Sequence, residues 1–246
     1  MNNELIEYLE REFRAKYYDI TALKFTQNMK ALEYINKVIP QIKLPVYSFI
    51  KPDLDADMRT CNMEGVCHFI LMRDVLTDPV TLTEIAHEFG HLYYGDKGYP
   101  LTRPASGKIE DMSKGTILSN TIMDPIINRD LADFGLDMVE YMKKGVQIQA
   151  PELMFGYPEY GKMNKYQKHY VKCLLIDKIQ EWKIINNAIP NAFIDIADKK
   201  HKRLLKESRD FVKRIEAMGT NTPGKCKKIL EMLVKENDME HEILID

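Results

Sequence analysis

The residues with the clearest capacity for chemistry lie in the segment TLTEIAHEFGHLYYGD, residues 81–96. In an α-helix, residues four apart lie on one face, about 6 Å from each other. His87 and His91 can therefore present two imidazole nitrogens to one metal ion. Glu88 lies about 100° further around the helix, so its carboxylate can reach a water on that ion without being a ligand. The spacing predicts a metal site with a general base beside it.

Two other interpretations of this segment stay open. In an ordinary amphipathic helix, Ile85, Phe89 and Leu92 would form the buried stripe and the two histidines would face solvent. A purely structural zinc site is the other alternative, although such sites usually have four protein ligands rich in cysteine. We expect Cys61 and Cys67 to flank a turn instead of binding metal.

The motif HEFGH at 87–91, on a capped helix that follows an apolar strand, resembles the zincin metallopeptidases. The resemblance covers about residues 67–140. It implies that His87 and His91 bind one zinc ion and that Glu88 is the general base. It does not include the third histidine of the metzincin branch, because Lys97 occupies that position.

A third ligand is expected in the downstream segment LSNTIMDPIINRDLADFG, where Asn120, Asp124 and Asn128 recur every four residues along an apolar helix. The segment resembles the second helix of the gluzincin branch, with Asn120 in place of that branch's glutamate ligand. Its N-x-x-x-D-x-x-I-N pattern is similar to metallopeptidase domains found with von Willebrand A-like modules. We predict Asp124 as the third ligand, supported by Asn120 and Asn128 around it. The alternative explanation for these polar residues is that their side chains cap backbone groups inside the helix, where Pro125 kinks it. Further candidates for the third ligand are Glu110, Asp111 and Asp130.

Three protein ligands leave one coordination position for water, whose pKa falls towards about 7 on catalytic zinc. The resemblance then implies peptide hydrolysis, in which Glu88 takes the proton of the water and passes it to the leaving amine. A group that stabilises the oxyanion is expected from a later segment. The candidates are Arg129, Tyr160, Tyr166, His169 and Tyr170. For His169, a surface or packing role is the alternative.

The resemblance implies a peptide or protein as the substrate. Two functions from other classes remain as alternatives. One is a non-catalytic interaction protein that keeps the metal for stability. The other is a metal-dependent amidase that acts on a small molecule.

Composition limits the partners and the setting. The 246 residues carry a net charge of −2, which gives no reason to expect nucleic acid or an anionic membrane as the main partner. The N-terminal segment is charged from Glu4 onward and does not resemble a signal peptide. Four scattered cysteines predict reduced thiols, so we expect a cytoplasmic protein. The basic stretch 198–214 has apolar residues at helical spacing and is expected to be a solvated helix face.

Hydrophobic periodicity predicts an α+β, mostly helical fold made of one domain with two lobes. The lobe at 1–95 should hold helices at 3–16 and 20–38, and strands near 44–50 and 67–75 that could pair as a hairpin. It should also hold the motif helix from Thr81 to Tyr94, with Thr81 as its cap. The lobe at 96–246 should be helical, at 114–144 with a kink at Pro125, and at 163–187, 191–217 and 224–237. Loops at 95–113 and 145–162 could form a lid over the site.

Overall fold

The computed structural model of the chain describes residues 3–20, 28–54, 57–63, 65–74, 78–107, 112–188 and 191–246. They form two compact units. The first, here called the sheet unit, comprises Met1–Asp96 and Phe134–Leu136; the second, the helical unit, comprises Lys97–Asp133 and Asp137–Asp246. The fold is α+β and mostly helical, as predicted.

The sheet unit contains three helices and a four-stranded sheet among its described residues. The helices are α1 (Asn3–Phe13), α2 (Met29–Val38) and α3 (Pro79–Asp96). The strands are β1 (Lys16–Tyr17), β2 (Val46–Ile50), β3 (Met58–Met63) and β4 (Cys67–Met72), in the order β1-β2-β4-β3. Every residue of β4 is buried, which suits a central strand made of β-forming side chains.

The predicted hairpin between the two apolar strands is wrong. Strands β2 and β4 lie side by side in parallel, with Val46 opposite His68 and Ile50 opposite Met72. The hairpin partner of β4 is β3, whose polar sequence MRTCNM carries no strong strand signal. Gly65 lies in the turn between them with φ +70°, a conformation that favours glycine.

Helix α3 positions the motif and begins earlier than predicted. Asp78, not Thr81, caps it: Asp78 Oδ1 accepts hydrogen bonds from the amides of Val80 and Thr81 at 3.0 and 3.1 Å. The helix also continues past Tyr94 through Asp96. It packs against α2 and β3, and the side chain of Asn28 donates to the Pro79 carbonyl and to Thr83 Oγ1. The helix that carries the two histidines is thus fixed at its first turns.

The helical unit contains six helices and a small sheet in the part of the chain that the structure describes. The helices are α4 (Met112–Phe134), α5 (Val139–Pro151), α6 (Lys165–Ile184), α7 (Ala192–Lys200), α8 (Lys202–Met218) and α9 (Pro223–Glu236). The strands are β5 (Thr102–Pro104) and β6 (Ile243–Ile245), an antiparallel pair that the sequence analysis does not predict. Helix α6 lies in the core and packs against α7 and α8. Its first turn is closed by a capping box between Asn164 and Gln167.

Several predicted boundaries in this unit are wrong. The long helix ends at Phe134 instead of continuing to 144, because Gly135 adopts φ +98° and breaks it. Pro125 lies inside the continuous helix α4. The predicted loop at 145–162 is mostly helical, since α5 runs to Pro151 and a π-helical turn follows at Glu152–Gly156. The loop assignment is wrong for most of this segment, and its role as a lid stays a prediction. The other predicted loop, 95–113, contains β5, and its residues 108–111 lie outside the described residues.

The predicted helix at 191–217 is divided into α7 and α8 at His201. The basic stretch 198–214 forms the end of α7 and most of α8, and its apolar members, among them Leu204, Leu205 and Phe211, are buried. Its charged residues lie mainly on the exposed side. The expected solvated face is confirmed. No helix among the described residues combines the length and the hydropathy that a membrane crossing requires.

Candidate metal centre

The two motif histidines lie one helical turn apart on α3, with their Nε2 atoms 3.0 Å from each other. His87 is buried and His91 is half-buried. The ring centroids are 4.7 Å apart and the rings are nearly perpendicular. Two nitrogens that each bind zinc at 2.0–2.1 Å in tetrahedral geometry are about 3.3 Å from each other. The Nε2 separation therefore fits two ligands of one ion closely.

Asp124 is the third ligand predicted from the sequence, and it belongs to the helical unit, whereas His87 and His91 belong to the sheet unit. Asp124 is half-buried on α4. Two imidazoles and one carboxylate form a donor set that suits zinc. Three protein ligands would leave a fourth position for water or substrate.

Glu88 is half-buried on α3, one residue after His87 and therefore on a neighbouring face. Strand β3 packs against α3. Burial raises the pKa of the Cys61 thiol on β3 to about 11, and the negative charge of Glu88 contributes in the same direction, while Arg59 opposes both. The Cys61 thiol is thus protonated at neutral pH. Cys61 and Cys67 are both free, and they lie on the two strands that flank the Gly65 turn.

The asparagines predicted around Asp124 lie one turn away from it on either side. Asn120 is half-buried, whereas Asn128 is completely buried. Asn128 Nδ2 donates a hydrogen bond of 3.0 Å to Glu181 Oε1 on α6. The further candidate Asp130 is half-buried on α4. The other two, Glu110 and Asp111, lie outside the described residues.

The predicted oxyanion stabilisers have different surroundings. His169 is buried at 2% exposure, and burial lowers its pKa to about 4, which suits the packing role weighed as its alternative. Tyr166 is exposed, and its hydroxyl donates to Glu242 at 2.7 Å. Tyr170 is half-buried, stacks on Tyr157 at 5.8 Å between ring centroids, and has a pKa raised by burial.

The remaining two candidates differ from each other in their environment. Tyr160 is half-buried, with the Arg203 guanidinium 4.6 Å and the Lys168 ammonium 4.7 Å from its ring centroid. Arg129 is exposed on α4. None of the five is singled out as the oxyanion partner by these contacts, and that role stays a prediction.

A buried charged cluster on α6 is missing from the sequence analysis. Asp177, Lys178 and Glu181 are each at most 8% exposed. Burial raises the pKa of Asp177 well above its usual range, and the negative charges of Glu181 and Asp124 add to this, while Lys178 opposes it. The two carboxylates in turn raise the pKa of Lys178 against the effect of burial. The sequence pattern could have predicted this cluster, because the polar segment DKIQE interrupts the otherwise apolar segment LLIDKIQEWKII at 174–185.

Comparison of the chain with models of known protein families, with curated proteins and with solved structures gives no match. The interpretation of the site therefore rests on its residues and their geometry.

Proposed function

We propose that the chain is a zinc-dependent metallopeptidase, with His87, His91 and Asp124 as the ligands of one zinc ion. The main support is that the Nε2 atoms of His87 and His91 lie 3.0 Å apart, one helical turn from each other on α3. This separation suits two ligands of one ion as well as a hydrogen bond between the two rings. Asp124 is the third ligand predicted from the sequence. Zinc, when bound, lowers the pKa of a coordinated water and polarises a carbonyl group.

The side chains of this chain would supply the rest of the chemistry. Glu88 directly follows His87 on α3, and in this proposal its carboxylate takes a proton from the attacking water and gives it to the leaving amine. The thiol of Cys61 is uncharged at neutral pH in the metal-free protein, because burial raises its pKa to about 11. All four cysteines are free thiols, which supports a reducing, cytoplasmic setting. The substrate on this proposal is a peptide or protein.

Metal analysis of the purified protein beside two histidine variants tests the proposal. We expect about one equivalent of zinc in the parent, none in His87→Ala, and the parental content in the control His241→Ala, whose side chain is exposed at the end of the chain. A peptide library should be cleaved by the parent and the control alone. A parent without metal overturns the proposal. Metal without cleavage indicates the non-catalytic interaction protein, and turnover of small amides alone indicates the amidase.

A further inference from the structure

Helix α6 holds a buried ion-pair cluster in the interior of the helical unit. Lys178 Nζ lies 3.1 Å from Asp177 Oδ2 and 2.5 Å from Glu181 Oε2. The lysine is 6% exposed. Buried ion pairs rarely add stability over an apolar core of the same shape, so their presence calls for another reason.

The neighbouring α6 side chains contact α4 on both sides of Asp124. Before it, Gln180 Nε2 donates a 3.0 Å hydrogen bond to the carbonyl oxygen of Thr121. That oxygen is free to accept because Pro125, four residues later, has no amide hydrogen. After it, Glu181 Oε1 accepts from Asn128 Nδ2 at 3.0 Å. The turn of α4 that carries Asp124 is therefore fixed to α6 at its two ends.

Lys178 connects these contacts to the ion-pair cluster. By binding one oxygen of Glu181, it leaves the other oxygen directed at Asn128. Without the ammonium, Asp177 and Glu181 would be two buried carboxyl groups with no cation in the cluster, and the negative charge of Asp124 already acts on Asp177. One of the two would then take up a proton or turn to another partner, and either change would disturb the side chains that hold the turn.

We infer that Lys178, Gln180 and Glu181 are positioning residues for the metal site, which set the place of Asp124 without touching the ion. The inference rests on the proposed function, because it needs Asp124 to be a ligand. Groups that orient metal ligands from outside the coordination sphere typically contribute 10–100-fold to metal affinity.

The test compares two buried lysines of the same helix. Lys178→Met removes the cation of the cluster, and Lys172→Met is the matched control, since Lys172 is 5% exposed and pairs with Glu236 at 3.2 Å instead. Zinc affinity is measured by competition with a chromogenic chelator, and the melting temperature of each metal-free protein is recorded. We expect the melting temperature of both variants to be lower than that of the parent. Zinc should bind about 10–100-fold more weakly to Lys178→Met and with the parental affinity to Lys172→Met.

A second variant serves if Lys178→Met does not fold. Gln180→Met keeps every charge and removes the donor to the Thr121 carbonyl, together with a longer 3.3 Å hydrogen bond to the Ile176 carbonyl within α6. It should weaken zinc binding by about 10-fold or more. Parental zinc affinity in a folded Lys178→Met protein, or in Gln180→Met if that alone folds, overturns the inference and leaves the proposed function intact. An equal loss of affinity in Lys172→Met also overturns it, because the effect would then be general destabilisation. A parent that binds no zinc defeats the proposed function as well.

Discussion

His68 Nε2 lies 3.2 Å from Asp96 Oδ1, which joins the central strand β4 to the last residue of the helix that carries both metal-site histidines. Asp96 Oδ2 also accepts a 2.5 Å hydrogen bond from the Lys43 amide, and Lys43 Nζ donates to the Asp96 carbonyl. A carboxylate at a helix C-terminus is electrostatically unfavourable. These three donors compensate for it, so Asp96 fixes the end of α3 to the sheet.

Asp96→Ala should therefore destabilise the sheet unit. Removing the acceptor leaves the buried His68 ring without this partner, and such losses cost about 1–3 kcal/mol. The free energy of unfolding from urea titration measures the effect. Asp53→Ala is the control, because Asp53 is exposed and its pair with Lys51 should contribute little. Equal stability of Asp96→Ala and the parent would show that the His68–Asp96 contact does not hold the helix.

Glu88→Gln should keep its zinc and lose activity. The amide retains the shape of the side chain but cannot accept the proton, and removal of a general base costs about 10²–10⁴ in rate. Elemental analysis and the initial rate on a cleaved peptide measure the two quantities. Glu84→Gln, one turn earlier on the same helix, is the matched control and should stay active. Turnover at the parental rate in Glu88→Gln contradicts the assignment of the base.

Removal of the metal should lower the melting temperature. A ligand that binds only the folded protein stabilises it by RT ln(1 + [L]/Kd), about 2.7 kcal/mol when its concentration is 100 times Kd. Melting curves with excess zinc and with a chelator give the difference between the two states. This difference should vanish in Asp124→Asn and persist in Asp130→Asn. The reverse pattern would make Asp130 the third ligand.

The buried His169 should make the helical unit less stable in acid. Burial lowers its folded-state pKa to about 4, from 6.5 in the unfolded chain. The unfolded state therefore binds more protons between these values, so this contribution to stability is complete above pH 6.5 and is lost as the pH falls towards about 4. At about 1.4 kcal/mol per pH unit, the loss amounts to about 3 kcal/mol.

Urea titrations at a series of pH values in that window, with chelator present, measure this dependence. The chelator removes the contribution of metal release, which would also follow protonation of the ligand histidines. In His169→Gln the slope of stability against pH should become shallower, because the glutamine does not titrate. An unchanged slope would assign the acid sensitivity to other groups.

The helix that carries the motif was more predictable than its surroundings, for a physical reason. His87, Glu88 and His91 belong to one helix, and the 3.6-residue period places them together whatever the rest of the chain does. Asp124 was predicted from a different signal, a polar residue within an apolar helix. The cluster on α6 also consists of polar residues within an apolar helix. It contains its own cation, so its sequence does not suggest a metal site.

The predictions of the fold were wrong where contacts between residues far apart in the sequence determine the structure. Strand β3 lies between β2 and β4 in the sequence, yet β2 and β4 are the direct neighbours in the sheet, and no local pattern indicates such a parallel pairing. In the helical unit, Pro125 was expected to disturb α4, whereas Gly135 ends it. The proline is tolerated because a side chain from another helix satisfies the carbonyl that it leaves without a donor.

Helix α4 therefore needs a donor from outside the helix to complete its backbone hydrogen bonds. Its Thr121 carbonyl depends on Gln180, which comes 59 residues later in the chain. A chain that stops short of α6 would hold α4 with this oxygen exposed to water, and the halves on either side of Pro125 would be joined only loosely. During synthesis, the segment with Asp124 should therefore acquire its final rigidity only after α6 has emerged.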